Sequence, residues 1–374
     1  MSFLHSPNKG FLITTVILLS FSASIIGLQV IHALGATQSK DQSSQTSQKA
    51  NEDSAMTSST ETKSDEEKNA EKAAQEAATK QSNQGAAKQA PAAVLQSIVT
   101  ASPRGKKLYV DASAKIGQPS EIASQSTALW LGGWNADVGQ AANTAVTNAA
   151  RQGAVATFVL YNIPNRDCGS YSSGGASSSQ SYRSWIRAVA AGIGAREAIV
   201  IIEPDALSQI TSCLSGADQA ARYADLSDAV TVLSAQTKAF IYLDAGHSNW
   251  IDANTMAGRL TKANVAQARG FSLNVSSFQT TASSTQYGNS ISAKTGKSFV
   301  IDTSRNGQGP NGGEWCNPRG RGLGKRPTTS ASGNVDAYLW VKVPGESDGE
   351  CNNGPSAGTW WNDYAQELIR NAVY

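Results

Sequence analysis

Acidic side chains recur in this 374-residue sequence directly after short apolar runs, a placement suited to proton transfer. Leu108-Tyr109-Val110 ends in Asp111, the run through Tyr161 continues to Asp167, and Ile199-Val200-Ile201-Ile202 ends in Glu203-Pro204-Asp205. Ile241-Tyr242-Leu243 ends in Asp244, Val300-Ile301 in Asp302, and the run through Trp340 leads past Lys342 to Glu346 and Asp348. One or two such groups are explained as rim salt bridges or helix N-caps, but five or more converging are hard to explain structurally. Paired carboxylates serve glycosidic cleavage: one protonates the leaving oxygen and the other activates water or attacks. Trp130, Trp134, Trp250, Trp315 and Trp340 fall in or just after the same run ends. An indole face packs on the apolar C–H face of a pyranose, although any one of these rings serves core packing equally well. Trp185 and Trp360-Trp361 lie in helical patterns and are read as core.

Composition narrows the chemistry. Histidine occurs only at positions 5, 32 and 247, so a globular domain has His247 alone. That excludes multi-histidine zinc sites and leaves a Ser-His-Asp triad one possible base. No EF-hand spacing and no CxxC occur, so no metal or cofactor is expected. The 31 basic and 29 acidic residues give a net charge of +2, which offers no electrostatic footprint for nucleic acid.

The elements that must position the carboxylates alternate in type. Strands are expected at 108–110, 128–131, 157–161, 198–202, 240–243, 271–275, 299–301 and 338–343. Ala-rich amphipathic helices fall between them at 137–151, 181–192, 218–237 and 251–268. Near-continuous apolar strands alternating with helices mean parallel pairing with both faces covered. Seven to eight such units make an α/β fold, a TIM-like (β/α) barrel, whose C-terminal strand ends would converge on one carboxylate-lined face.

This domain is expected over 94–374. Residues 11–35 form an apolar run after Lys9, long enough to span a bilayer but broken by polar residues, so residues 1–36 are a cleaved signal peptide or a membrane anchor. Either places the rest outside the cytoplasm. Residues 37–93 contain no Phe, Tyr, Trp, Leu, Ile or Val and are read as a disordered linker. Cys168, Cys213, Cys316 and Cys351 fit two disulfides in an oxidising compartment, with three pairings open.

Five ordered blocks resemble glycoside hydrolase family 6, the endoglucanases and cellobiohydrolases. Val159-Leu160-Tyr161-Asn162-Ile163-Pro164-Asn165-Arg166-Asp167-Cys168-Gly169 with Ser172-Ser173-Gly174-Gly175 looks like one signature. Ile199-Val200-Ile201-Ile202-Glu203-Pro204-Asp205-Ala206-Leu207 looks like another. Tyr242-Leu243-Asp244-Ala245-Gly246-His247, Trp315-Cys316-Asn317 and Trp340-Val341-Lys342-Val343-Pro344-Gly345-Glu346-Ser347-Asp348-Gly349 match three further blocks. The resemblance implies a distorted barrel and hydrolysis of internal β-1,4-glucosidic bonds with inversion, by carboxylates ~6.5–9.5 Å apart. It implies Asp205 as the general acid, Asp167 as the carboxylate that keeps it protonated, Asp348 as the candidate base and Tyr161 as the ring that crowds the sugar. Trp130, Asp244, His247, Trp250, Asn274, Trp315, Lys342 and Glu346 would contact substrate. It also implies Cys168–Cys213 and Cys316–Cys351 pairs. Processive members carry a longer loop where Cys316–Cys351 is short here, so an open cleft and endo attack are expected. Exo attack and a non-catalytic polysaccharide-binding barrel are the alternatives. A β-glucan is the expected partner of a monomer.

Overall fold

The computed structural model describes residues 101–115 and 117–374. The targeting segment expected at 1–36 and the linker at 37–93 lie outside the described residues. Among the described residues no helix is long and apolar enough to cross a membrane.

Eight strands pair in parallel throughout: β1 (Lys107–Leu108), β2 (Leu129–Leu131), β3 (Ala154–Leu160), β4 (Ala198–Ile202), β5 (Phe240–Asp244), β6 (Gly270–Leu273), β7 (Ser298–Asp302) and β8 (Val335–Leu339). β1 pairs with the first residues of β3 and β2 with its last, so the two share one lane and the sheet has seven lanes. The helices are α1 (Ser120–Ala123), α2 (Val138–Arg151), α3 (Ser179–Ile193), α4 (Ile210–Cys213), α5 (Gly216–Gln236), α6 (Ala253–Lys262), α7 (Thr281–Thr295) and α8 (Asn362–Arg370).

Every residue of β3, β4, β5 and β6 is buried, because both faces of the sheet are covered. Successive side chains point to opposite faces. Val159, Tyr161, Ile199, Ile201, Phe240, Tyr242 and Leu339 pack together inside the curl. Their neighbours Phe158, Leu160, Val200, Ile202, Ile241 and Leu243 pack outward beneath the helices. Each such fully buried apolar side chain contributes roughly 1.5–3 kcal/mol of transfer free energy. A third cluster joins Tyr364 and Leu368 of α8 to Ile122, Leu323 and Trp340.

Among the described residues the curl does not close by a backbone ladder: the strand that β8 pairs with is β7, and its Tyr338 otherwise makes an isolated bridge to Thr328. Isolated contacts bridge the two edges. Ala128 N donates to Trp340 O at 3.1 Å and Trp130 Nε1 to Val341 O at 2.9 Å. At the other end Asp336, fully buried in β8, accepts from Arg269 at 2.8 Å on each oxygen and from the Tyr242 hydroxyl at 2.9 Å. Arg104 reaches the same carboxylate at 3.2 Å.

Four expectations need correction. The last strand is Val335–Leu339, not 338–343, because the amides of Val341 and Lys342 are taken by the Asp302 carboxylate at 3.1 and 3.0 Å rather than by a ladder. The helix expected to 268 stops at Lys262, where Asn264 adopts a left-handed φ of 66° and a short 3₁₀ turn follows. Helix α7 was not anticipated. It buries Ser284, Gly288 and Ser292 with Tyr287 and Ile291, and a Cβ on Gly288 would lie 2.4 Å from the Phe299 ring, so α7 sits close on β7 through a small-residue face. Trp360 and Trp361 precede α8 rather than lying within it, although they still pack half-buried against the third cluster.

Candidate active site

A cleft of about 1160 Å³ lies over the C-terminal strand ends. Its floor is built from groups that follow β3, β4 and β8. Glu203 N continues the ladder by donating to Leu160 O at 2.8 Å. The chain then turns sharply, with Glu203 at φ 50° and Asp205 at φ 70° on either side of Pro204. Left-handed φ is costly for residues other than glycine, so this turn is held by its surroundings. It places Asp205 half-buried on the cleft.

The carboxylates around the cleft differ in electrostatic state. Burial pushes the Asp205 carboxyl well above the usual carboxylate range, and the charges of Asp244 and Asp167 push it the same way. All three influences favour the protonated form of Asp205. Asp167 lines the cleft too, its carboxylate accepting from Ser172 N at 2.8 Å and Gln209 Nε2 at 3.2 Å. Burial would also raise Asp348, but the Arg305 guanidinium, 2.8 Å away, and Lys342, 3.5 Å away, more than offset it and hold the carboxyl below its ordinary value. Asn317 N donates to the same oxygen that Arg305 binds, at 3.0 Å. Arg305 is fully buried, packs 4.4 Å over the Phe278 ring and also donates to Ser276 O. Glu346 lines the cleft with its carboxyl raised by burial.

The aromatic groups line the same space. Tyr161 is buried, with Trp130 edge-on at 5.3 Å and the Arg166 guanidinium 4.8 Å from its ring. His247 and Trp250 lie together with ring centres 5.4 Å apart, and burial lowers the imidazole to about 4, so it is neutral near pH 7. Trp250 and Trp315 are among the exposed large apolar side chains, as is Trp134.

Two residues expected at the substrate do not line the cleft. Asn274 is fully buried; its amide donates to Asp302 O at 2.9 Å and Gln279 O at 3.2 Å while its oxygen accepts from Gln279 N. It ties the loop after β6. Asp244 is buried behind Asp205, accepting from Asp205 N at 3.1 Å and Gly246 N at 3.0 Å. Trp340, also at an expected run end, belongs to the third apolar cluster. Sequence pattern supplies residue type and approximate height on the strand, not the direction of a side chain just past its end.

Sequence reasoning missed Tyr171, half-exposed in the loop that carries Asp167. Its ring centre lies 6.1 Å from Trp315, and it packs where a Cβ on Gly349 would fall 2.4 Å from a ring atom. Gly349 also has φ +152°, so both sterics and backbone require glycine beside Asp348. Arg305 was missed as well; its position after the strand ending in Asp302 was the available signal.

Both disulfides are formed, Cys168–Cys213 and Cys316–Cys351, and no described cysteine is free. One adjoins Asp167; the other fastens the segment after Asp348 to the loop of Trp315. Converting either pair to serine is expected to cost about 2–5 kcal/mol. It should also lower kcat by loosening the attached carboxylate, which thermal melts and turnover assays below the melting temperature will separate.

Comparison with known proteins places this arrangement. The model for glycosyl hydrolases family 6 matches residues 96–372. Endoglucanase A of Cellulomonas fimi is 47% identical over 256 residues, covering 67% of this chain and 56% of that protein. Endoglucanase 1 of Streptomyces halstedii is 44% identical over 260 residues, covering 67% of this chain and 80% of that one. The chain thus spans little more than half of the first relative's length. Among solved structures, the endoglucanase Cel6 from Mycobacterium tuberculosis, in complex with methyl-cellobiosyl-4-deoxy-4-thio-β-D-cellobioside, is 44% identical with a TM-score of 0.68. That match covers 72% of this chain and 99% of the solved one.

Proposed function

The chain belongs to glycosyl hydrolases family 6, and from that premise we propose that it hydrolyses internal β-1,4-glucosidic bonds of cellulose or a related β-glucan with inversion. The observation that carries this reading is a single cleft lined by two carboxyls in opposite settings: Asp205, whose burial beside Asp244 raises its proton affinity, and Asp348, paired with Arg305 and Lys342, which lower it. Pairs of carboxylates with separated proton affinities divide acid and base roles.

Asp205 gives its proton to the leaving glycosidic oxygen as the C–O bond breaks. Positive charge grows on the sugar ring, and water adds from the opposite face. Asp348, paired with Arg305 and Lys342, is a weak base, so it takes up the water's proton only late, when bonding to the ring carbon makes that water strongly acidic. Asp167, beside the cleft, helps move that proton and supports the protonated state of Asp205. Tyr161 crowds the sugar at the point of cleavage, while Trp130, Trp250 and Trp315 carry flanking sugar faces and His247, Lys342 and Glu346 bind hydroxyls. The endoglucanase relatives at 47% and 44% identity support mid-chain attack. Two disulfides support a site of action outside the cytoplasm, reached through a cleaved signal or an anchor in residues 1–36, and we propose that the protein acts as a monomer.

With carboxymethyl cellulose the full-length chain should lower viscosity early relative to reducing ends released, and NMR of the first product should show the α-anomer. Slow viscosity loss with steady release of a disaccharide would favour exo attack. Binding without turnover would leave a polysaccharide-binding barrel, and a first-formed β-anomer would exclude inversion.

A further inference from the structure

Below the cleft, two buried ionisable side chains that cannot touch a sugar link the segment after β3 to the turn after β4. Glu203 is 1% exposed and Arg222, from α5, is 3% exposed. Neither lines the cleft. The Glu203 carboxylate turns back across the sheet end: one oxygen accepts from Asn162 N at 3.0 Å, and the other lies 3.0 Å from both Asn162 N and Ile163 N. Arg222 approaches from the helix layer. Its Nη2 donates to Pro164 O at 2.6 Å and Asn165 O at 3.0 Å, and its Nη1 to Ala206 O at 3.4 Å. Each side chain therefore joins the same two segments. One follows Tyr161 and leads to Asp167; the other contains Asp205.

We propose that Glu203 and Arg222 are positioning residues, a buried bracket that fixes the segment of Tyr161 and Asp167 relative to Asp205. Three features of the molecule support it. The turn is strained at Glu203 and at Asp205, and such backbone persists only where several contacts over-determine it. The buried amides of Asn162 and Ile163 face no helix or sheet partner, so Glu203 supplies the hydrogen bonds that buried backbone requires, and Arg222 ties down the more exposed carbonyls that follow. Ionisable groups are expensive to bury, and ordinary loop packing would be served as well by apolar ones. Arg166 also acts on this segment, from its cleft side, donating to Tyr161 O at 2.8 Å and to Ser173 O at 2.9 Å. The bracket sets where the segment sits; Arg166 sets how it folds back.

The proposal rests on the hydrolase reading above, and its test separates the two. Full-length native protein and the variants Glu203→Ala, Glu203→Gln, Arg222→Met and Arg222→Lys are assayed on one soluble β-glucan, well below each melting temperature. Displacing a reacting group by about an ångström costs on the order of 100-fold in rate. Glu203→Ala and Arg222→Met should therefore lower kcat by roughly 10–100-fold with KM nearly unchanged, since no sugar contact is lost. Glu203→Gln keeps one acceptor oxygen and Arg222→Lys keeps one cationic donor, so both should recover part of the loss. If the truncated variants do not fold, the conservative pair carries the test through the same fall in kcat at constant KM. Folded variants with native kcat and KM and only a lower melting temperature would overturn the bracket. A native chain that leaves the glucan intact would overturn the hydrolase reading instead.

Discussion

Asp205→Asn removes turnover of an unactivated β-glucan, with kcat falling by about 10²–10⁴-fold, the range a general acid contributes. The leaving sugar alkoxide cannot depart without a proton, and the Asp205 carboxyl is the protonated group on this cleft floor. The same variant should melt at a higher temperature near pH 7. The sign follows from linkage: a carboxyl whose folded affinity for protons is raised must stay protonated, or be buried charged, where the unfolded chain would release its proton. That penalty acts above the unfolded value of about 3.9 and disappears as pH falls below it. Stabilisation by the substitution should thus be present at pH 7 and absent at pH 3. Asparagine suits the test better than alanine, because it tolerates the left-handed φ of 70°, where alanine adds roughly 1–2 kcal/mol of strain. Native rates in the Asn variant would refute the acid assignment.

Replacing Arg305 by Met lowers folding stability by about 3–5 kcal/mol, the usual result of stripping the partner from a buried charge. Both members qualify: the Arg305 side chain is 0% exposed and that of Asp348 is 7%. Lys342 remains 3.5 Å from Asp348 and keeps the loss toward the lower figure. In the native protein the Asp348 carboxyl is lowered, so its contribution is present above the unfolded value of about 3.9 and lost as pH falls through the folded one. In the variant, burial dominates and the sign reverses, so Asp348 costs stability at neutral pH and the deficit shrinks in acid. Denaturant melts from pH 3 to 8 check this. A pH-independent loss would mean that Arg305 acts by packing on Phe278 alone.

The chain's strands were readable where burial is two-sided. Ala198–Ile202 coincides with its expected run because every residue there is apolar and enclosed. β8 was displaced because Asp336 reads as a strand breaker, yet Arg269 and Arg104 neutralise it inside the sheet. The apolar residues just beyond looked like strand while their amides bind Asp302. Helix α7 escaped notice because its buried face is partly serine and glycine, which carries no hydrophobic period. In the cleft, carboxylates and indoles could be named from their place after strands. Asn274 and Asp244 could not be sorted from them, since a buried tether and a sugar ligand use the same amide and carboxylate groups. Arg305 stands after a strand end, as the carboxylates do, but its pairing with Asp348, forty-three residues away, needed the folded chain.

The missing ladder between β8 and the lane of β1 and β2 has a mechanical meaning. Here the rim is notched, spanned by a few side-chain and main-chain ties at Trp130 and Ala128. A seam held by so few ties parts or slides at lower cost than any laddered pair of lanes, so it is where the wall yields first.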